Sequence, residues 1–515
     1  MKYVMALDCG TTGIRAIIFD KECNIVSKAY APLTQIFPFP GYCEQDAEEI
    51  WRKCVDVMKK SLANAKLKAG DIEAIGITTQ RSTSVIWDID GKPLHNAITW
   101  QDTRAASICS KMDRHMKIRM VRGIGKITQA IKPLHRSVAG AKLITAANLS
   151  FNPASSLAHL KWLLDNVGGA REKARKGELL FGTVDTWLVW KLTGGKIHAT
   201  DYSNASATAL YDPFSLKWNK MFLNLFDIPE EILPEVRETA GEFGTTKVLE
   251  EEIEIKSVVA DQQAALFGEG CFEEGEVKCT HGTGSFIDMN VGAKARASRH
   301  KLLPFIAWRI DGKTRYMLEG MANTTGAAIQ WLVENLGIIA SPEESEEMAS
   351  SVESSEGVYF VPAFSGLTTP YWDAHARGIV IGLSRKTRKE HIVRAVLEGI
   401  VYRCKDIMAA MEKDAGIKIK IVRADGGAAR NNFLLQFMAD MLNVRVERQR
   451  ISEVSALGAA FMAGLASGYW ESRGELIEKR EVEKIFEPEM EEERRQYLYE
   501  KWRKAVKRAF AWHEE

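Results

Sequence analysis

What this sequence lacks first is net charge. Lys and Arg number 69 against 68 Asp and Glu, a formal charge of +1. Partners such as nucleic acid or an anionic membrane surface call for a clustered basic excess, so no nucleic acid and no membrane is expected. The one locally basic stretch, from Lys111 to Lys142, reads as a solvated surface. Paired cysteines are also missing. The eight cysteines form no Cys-x-x-Cys and no Cys/His spacing of the kind that holds zinc. They are scattered as in a reduced cytosolic enzyme. The chain has no low-complexity segment and no short-period repeat. Its most apolar uncharged stretch, Val454 to Trp470, is rich in Ser, Ala and Gly, which suits a tightly packed core helix better than a membrane span. The N-terminal apolar run breaks at Asp8, too early for a signal peptide, and the cytoplasm is the expected compartment.

What is present is a long chain with α/β alternation. At 515 residues it exceeds one ordinary core, so two domains are expected. Strands are predicted at Ala74–Thr78 and Ser84–Trp87, and an amphipathic helix over Ala47–Ala65. Further helices are expected around Gly326–Trp331 and in the charged tail after Glu489. The Glu-rich stretch Glu250–Glu254 is the candidate boundary, giving domains of residues 1–253 and 254–515.

The chemistry-bearing residues lie at turns. Leu7-Asp8-Cys9-Gly10-Thr11-Thr12-Gly13-Ile14-Arg15 reads as strand, Gly-Thr turn, strand, with an acid closing the first strand. A related turn recurs at Cys279-Thr280-His281-Gly282-Thr283-Gly284-Ser285-Phe286. Such turns let backbone N–H groups approach an anion, and the hydroxyls add donors. A single Gly-Thr hairpin is ordinary, but two with an acid and an arginine point to two halves gripping one nucleotide. Asp261 ends an apolar strand and opens a small-residue helix, a place for either an N-cap or a carboxylate at a cleft lip. Asp8 sits likewise, and carboxylates there commonly hold Mg²⁺ through water. Arg423-Ala424-Asp425-Gly426-Gly427 puts two glycines between strand and helix, where a nucleotide can approach backbone.

Together with Gly76–Arg81, Glu178–Trp187, Thr200–Ser206, Val361–Leu367 and the stretch from Gly378 to Glu398, these segments resemble the FGGY family of carbohydrate kinases nearly end to end. Among its members the glycerol kinases are the most similar. The resemblance implies a two-lobed, actin-like (ribonuclease H-like) α/β fold with ATP and a small polyol or sugar meeting in the cleft. It implies Asp261 as catalytic base, Arg15 stabilising phosphate charge, and Asp8 assisting Mg²⁺. Thr11, Thr12, Gly13 and Thr283 would contact ATP phosphates, with Gly326, Gln330, Gly427 and Asn431 around the nucleotide. Arg81, Trp100, Gln262 and Phe286 would line the acceptor pocket with Asp261. Homodimers or homotetramers are common in the family.

Two pocket positions depart from the glycerol kinases. Ser82 stands where they carry a Glu that holds substrate hydroxyls, and Ala154 where they carry a Tyr. His159 replaces a Lys, and the chain between Cys109 and Pro153 is longer than the family pattern, with Arg136 and Asn148 as possible substitutes for the lost contacts. Losing a charged hydrogen-bond acceptor removes on the order of 1.5–3 kcal/mol, which weakens glycerol binding roughly tenfold to a hundredfold. The expectation is therefore a kinase for a polyol, ketose or cyclic polyol larger than glycerol. Glycerol itself is the alternative, and a non-catalytic nucleotide-binding sensor is the rival of another class. His281 is expected to pack or hydrogen-bond rather than catalyse.

Overall fold

The computed structural model describes residues 2–131 and 137–513. Arg136 lies outside them.

Two mixed sheets of related topology organise the chain. In the first, the hairpin Tyr3–Cys9 and Gly13–Phe19 is extended by antiparallel Ile25–Pro32 on one side. On the other side Ile72–Thr79 and then Ile253–Ala260 add in parallel. The second sheet repeats the plan. Its hairpin is Glu276–His281 with Ser285–Gly292, antiparallel Lys313–Ala322 lies on one side, and parallel Ile421–Asp425 and Val446–Gln449 on the other.

Tyr3–Cys9 shows why these strands have no polar face. Met5 and Leu7 pack with Ile50, Val57 and Met58 of the helix Ala47–Ala65. Val4 and Ala6 pack on the other side with Ala456, Leu457 and Ala460 of the helix Val454–Ser467. A strand covered on both faces reads as a continuous apolar run, as this one does. The predicted helix bounds at Ala47–Ala65 hold, as does the packed-helix reading of Val454–Trp470. A terminal helix spans Glu492–Arg508. Among the described residues no helix is long and apolar enough to cross a membrane.

The expected boundary at residue 253/254 needs correction. Ile253–Ala260 belongs to the first sheet, paired with Ile72–Thr79. The Glu-rich stretch is a turn leading into that strand, and the second sheet starts only at Glu276. The chain passes between sheets through the helix Asp261–Gly268, which crosses Val454–Ser467 at very close range. A Cβ on Gly268 would lie 2.1 Å from the Val454 carbonyl oxygen, and one on Gly458 only 1.9 Å from that of Ala264. Only glycine permits that approach.

The longer stretch after Cys109 folds as a helical hairpin, Met116–Ala130 and Val138–Ala146. It touches the second lobe, where the Ser298 amide donates to Thr145 Oγ1 at 3.2 Å and Asn148 Nδ2 to the Arg299 carbonyl at 3.4 Å.

Candidate active site

Asp8 and Arg15 beside the first Gly-Thr turn, Thr280 beside the second, and the Gly426-Gly427 turn line one cavity. In the first turn the Gly10 amide donates to the Gly13 carbonyl at 3.1 Å. Asp8 and Arg15 are direct cross-strand partners, with Arg15 Nη1 3.5 Å from Asp8 Oδ2. Arg15 Nε is also 3.6 Å from Glu453 Oε2, just before the interlobe helix. Burial pushes the Asp8 carboxyl up to about 7. Arg15 opposes that rise, and Asp261 and Glu453 add to it. Thr11 Oγ1 accepts from Trp100 Nε1 at 2.8 Å, so the turn and a residue expected in the acceptor pocket are physically joined. Thr12 is exposed beside it. Gly13 is tight, since a Cβ there would lie 2.4 Å from the Tyr30 ring.

The second turn closes through Gly282 N–H to the Gly284 carbonyl at 2.9 Å and docks on the helix Gly326–Glu334. The Thr283 carbonyl accepts from the Thr325 and Ala327 amides at 2.9 and 3.1 Å, and the Gly282 carbonyl from Gly326 at 3.0 Å. His281 is fully buried, with Nδ1 2.9 Å from Ser285 Oγ. Burial lowers it to about 4, a neutral packing residue as expected. Gly426 has φ +90° and no room for a Cβ, which would meet the His281 carbonyl oxygen at 2.5 Å.

Asp261 is the first residue of its helix, whose N-cap is Ala260, so the capping reading of Asp261 is not what the structure shows. Its Oδ1 accepts from the Gln262 amide at 2.7 Å and lies 3.4 Å from Arg81 Nε. Burial raises its pKa, with Arg81 opposing. Arg81 Nη2 is 2.8 Å from Glu319 Oε2, and burial pushes Glu319 up to about 7. Phe286 lies one strand over, paired with Thr280 and Met321. Ser82 occupies the left-handed region at φ +61°, and its hydroxyl donates to the Ala207 carbonyl at 3.0 Å. Its own carbonyl accepts from Ser156 Oγ at 3.1 Å, which sets the segment bearing Ala154 beside it. The contact is made by Ser156, two residues from Ala154, so the segments carrying the two departing positions touch. Of the Trp-x-Asp-x-Arg run, Asp102 and Arg104 are engaged within the first lobe. Arg104 is locked onto Asp102 and Glu44, at 2.8 and 2.7 Å. His159 is buried against the Asp102 carbonyl and lowered to about 4.

A cavity of about 400 Å³ gathers Asp8, Arg15, Gln262 and Gly427 with Thr280, Asp425 and Glu453. Gln330 and Asn431 are used otherwise. Gln330 is exposed and donates to Glu334 at 2.7 Å. Asn431 caps the helix Asn432–Leu442 through its Oδ1 and donates to Ser345 Oγ at 3.1 Å. Lys278, Asp288, Glu319 and Glu453 carry much of the local charge, and sequence reasoning missed them. Asp425, next to the Gly426-Gly427 turn, also lines this cavity. For Lys278, Asp288 and Glu319 the available signal was a charged residue inside a strand buried along most of its length.

Asp8 and Asp425 both line the cavity, and burial raises their carboxyls to about 7 and about 6. That donor set of carboxylate oxygens fits Mg²⁺.

Residues 3–135 and 125–268 match the N-terminal domain of the FGGY family of carbohydrate kinases, and residues 277–467 its C-terminal domain. The glycerol kinase of Caldanaerobacter subterraneus subsp. tengcongensis is 48% identical over 517 residues, covering 100% of both chains. Glycerol kinase 2 of Thermotoga maritima is 48% identical over 515 residues, 99% of each. Among solved structures, Plasmodium falciparum glycerol kinase with ADP superposes with a TM-score of 0.90 at 32% identity, covering 99% of this chain and 98% of that one. The ligand-bound xylulose kinase from Lactobacillus acidophilus shares the fold, with a TM-score of 0.83 at 22% identity and 99% of each chain covered.

Proposed function

The chain belongs to the FGGY family of carbohydrate kinases, phosphotransferases with an alcohol group as acceptor, and from that premise we propose that it transfers the γ-phosphoryl group of ATP to a hydroxyl of glycerol. The enzymatic family takes the place of the sensor reading. One observation supports the assignment of the reacting centre: Asp261, raised by burial and held by Arg81, adjoins Gln262, which lines one cavity with Asp8, Arg15 and Thr280. In this reading the Asp261 carboxylate takes the acceptor's hydroxyl proton as its oxygen bonds to the γ-phosphorus. The bond from that phosphorus to the bridging oxygen breaks, and ADP leaves. Arg15, the hydroxyls of Thr11, Thr12 and Thr283, and the backbone of Gly13, Gly326 and Gly427 stabilise the phosphate charge. Asp8, with Asp425 across the cavity, would hold Mg²⁺, which supplies charge shielding for the phosphates when bound. Arg81, Trp100, Gln262 and Phe286 shape the acceptor side.

Relatives named glycerol kinase at 48% identity over the full chain support glycerol as the acceptor. A larger polyol, ketose or cyclic polyol is the second reading, and a specific observation favours it. The Ser82 hydroxyl is spent on the Ala207 carbonyl and Ala154 offers only a methyl group, so neither supplies the acceptor contact that a Glu and a Tyr would. ADP release across glycerol, tetritols, pentitols, ketoses and inositols, each against a blank without acceptor, decides between them. Highest kcat/KM for glycerol supports the first reading. Weak glycerol turnover beside a preferred larger compound replaces it with the second.

A further inference from the structure

The helical hairpin of residues 116–146 is unlike the rest of the molecule in charge. Residues 114–164 contain no Asp or Glu and nine Lys or Arg, on a chain whose total is +1. Whole-chain neutrality hides this segment, and the sequence reading of a solvated surface explains the cations but not what lies between them. Along the helix Met116–Ala130 a line of large apolar side chains faces outward: Met116, Met120, Ile124 and Ile127 are 80%, 60%, 43% and 66% exposed. Spacings of four, four and three residues put them on one stripe of the helix. Exposed Lys117 flanks the stripe on one side, and exposed Arg119 and Lys126 on the other.

The stripe cannot turn inward to satisfy itself. The opposite face, Ile118, Gly125 and Thr128, is already buried. Gly125 seats the helix on its partner so closely that a Cβ would lie 2.5 Å from the Leu143 carbonyl oxygen. Arg122 fastens it further, donating to the Leu149 carbonyl at 2.6 Å and the Asp113 carbonyl at 2.9 Å. A fixed apolar stripe with cations on both shoulders, and with the one acid that contacts the helix, Asp113, already paired with Arg122, is the form of a helix lying in a lipid–water interface, methyl groups among acyl chains and ammonium groups at anionic headgroups.

We propose that the face presented by Met116, Met120, Ile124 and Ile127 docks on an anionic lipid bilayer surface. Charge complementarity selects that occupant. A second copy meeting this face about a two-fold axis would bring the same cations against one another with no acid between them. Nucleic acid would meet methyl groups at the outermost line, where phosphate contacts are needed. The hairpin touches the second lobe at Ser298 and Arg299 and leads directly into the segment bearing Ala154.

The test is flotation of the full chain with vesicles of phosphatidylcholine alone and with vesicles in which part is replaced by phosphatidylglycerol. The expected result is binding to the mixed vesicles only, weakened by added salt. Replacing Lys117, Arg119 and Lys126 with Gln should weaken it about a hundredfold. Met120→Glu with Ile127→Glu should abolish it, with ADP release and unfolding temperature in vesicle-free buffer unchanged. Absence of binding, equal binding to both vesicles, or binding that survives the two Glu substitutions overturns the proposal. So does a wild-type dimer that those substitutions dissociate, or retention of duplex DNA without vesicle binding.

Discussion

Lys278 and Asp288 face each other across the second hairpin, Nζ to Oδ2 2.7 Å, both wholly buried beneath the cleft. Burial works against the Lys278 charge, but Asp288 and Asp425 hold its pKa above the ordinary value. Neither Asp288 oxygen has a hydrogen bond beyond this ion pair. Lys278 Nζ also donates to Gln262 Oε1 at 2.6 Å. That bond fixes the amide so that Nε2, its donor, is left for the cleft that Gln262 lines. Buried ion pairs are weak sources of stability, and an apolar pair of similar volume is often as good or better. Positioning of Gln262 is the reading that accounts for the pair.

Lys278→Met with Asp288→Leu should therefore keep or raise the unfolding temperature while lowering kcat/KM about a hundredfold to a thousandfold, the scale for one preorganised donor. In a Gln262→Ala background the same pair of changes should add almost nothing, because contacting residues acting through one group are not additive. Full additivity in that cycle would reject the positioning role.

Asp8 gives a pH prediction with a defined sign. Its folded pKa is raised from 3.8 to about 7, mainly by burial, so the folded state binds this proton more tightly than the unfolded chain. The stability it lends is present at low pH and is lost as pH rises from about 4 to about 7. Asp8→Asn should raise the unfolding temperature at pH 8 more than at pH 5, measured without metal, while abolishing most kinase activity at both. Wild-type activity should fall below pH 7 and recover partly with added Mg²⁺. A loss of stability at pH 8 in the variant contradicts this.

Restoring the carboxylate and phenol tests the pocket. Ser82→Glu with Ala154→Tyr should improve kcat/KM for glycerol about tenfold or more relative to larger polyols, given the worth of a charged hydrogen bond. The single Ser82→Glu change must also free the Ala207 carbonyl, so its gain should be smaller than the pair's. No shift in acceptor ranking would mean that these positions do not report specificity.

The helix crossing offers a stability measurement. With 1.9 Å between a Gly458 Cβ and the Ala264 carbonyl oxygen, Gly458→Ala forces the helices apart. Overpacking of this kind costs about 1–3 kcal/mol, read as a lower unfolding midpoint in urea. An unchanged midpoint would show that the lobes shift freely there.

Much of the fold was legible because local pattern and tertiary role agree. The helix Ala47–Ala65 begins after Asp46, whose side chain accepts from the Glu48 amide, and its apolar spacing matches its buried face. Strand Tyr3–Cys9 ends at an acid and a glycine turn as read. The boundary was misplaced because Glu250–Glu254 looks like a linker, whereas sheet membership is decided by pairing with Ile72–Thr79, a long-range fact. Of the site, Asp8 and Asp261 were readable from position at strand ends, Arg15 from the Gly-Thr turn, and Arg81 only through the family resemblance. Lys278, Asp288 and Glu319 were not, since they lie on three different strands and only the cross-strand register brings them together. Asn431 shows the reverse, a polar residue after a glycine turn whose side chain is taken up by capping.

The central claim is that Asp261 accepts the proton of the phosphorylated hydroxyl. Its most direct test is ADP release by wild type and Asp261→Asn with ATP, Mg²⁺ and glycerol, against a blank without acceptor. The account predicts acceptor-dependent turnover in the wild type and a loss of about 10²–10⁴-fold in kcat in the variant, with ATP binding retained. Turnover within a fewfold of wild type in Asp261→Asn would contradict it.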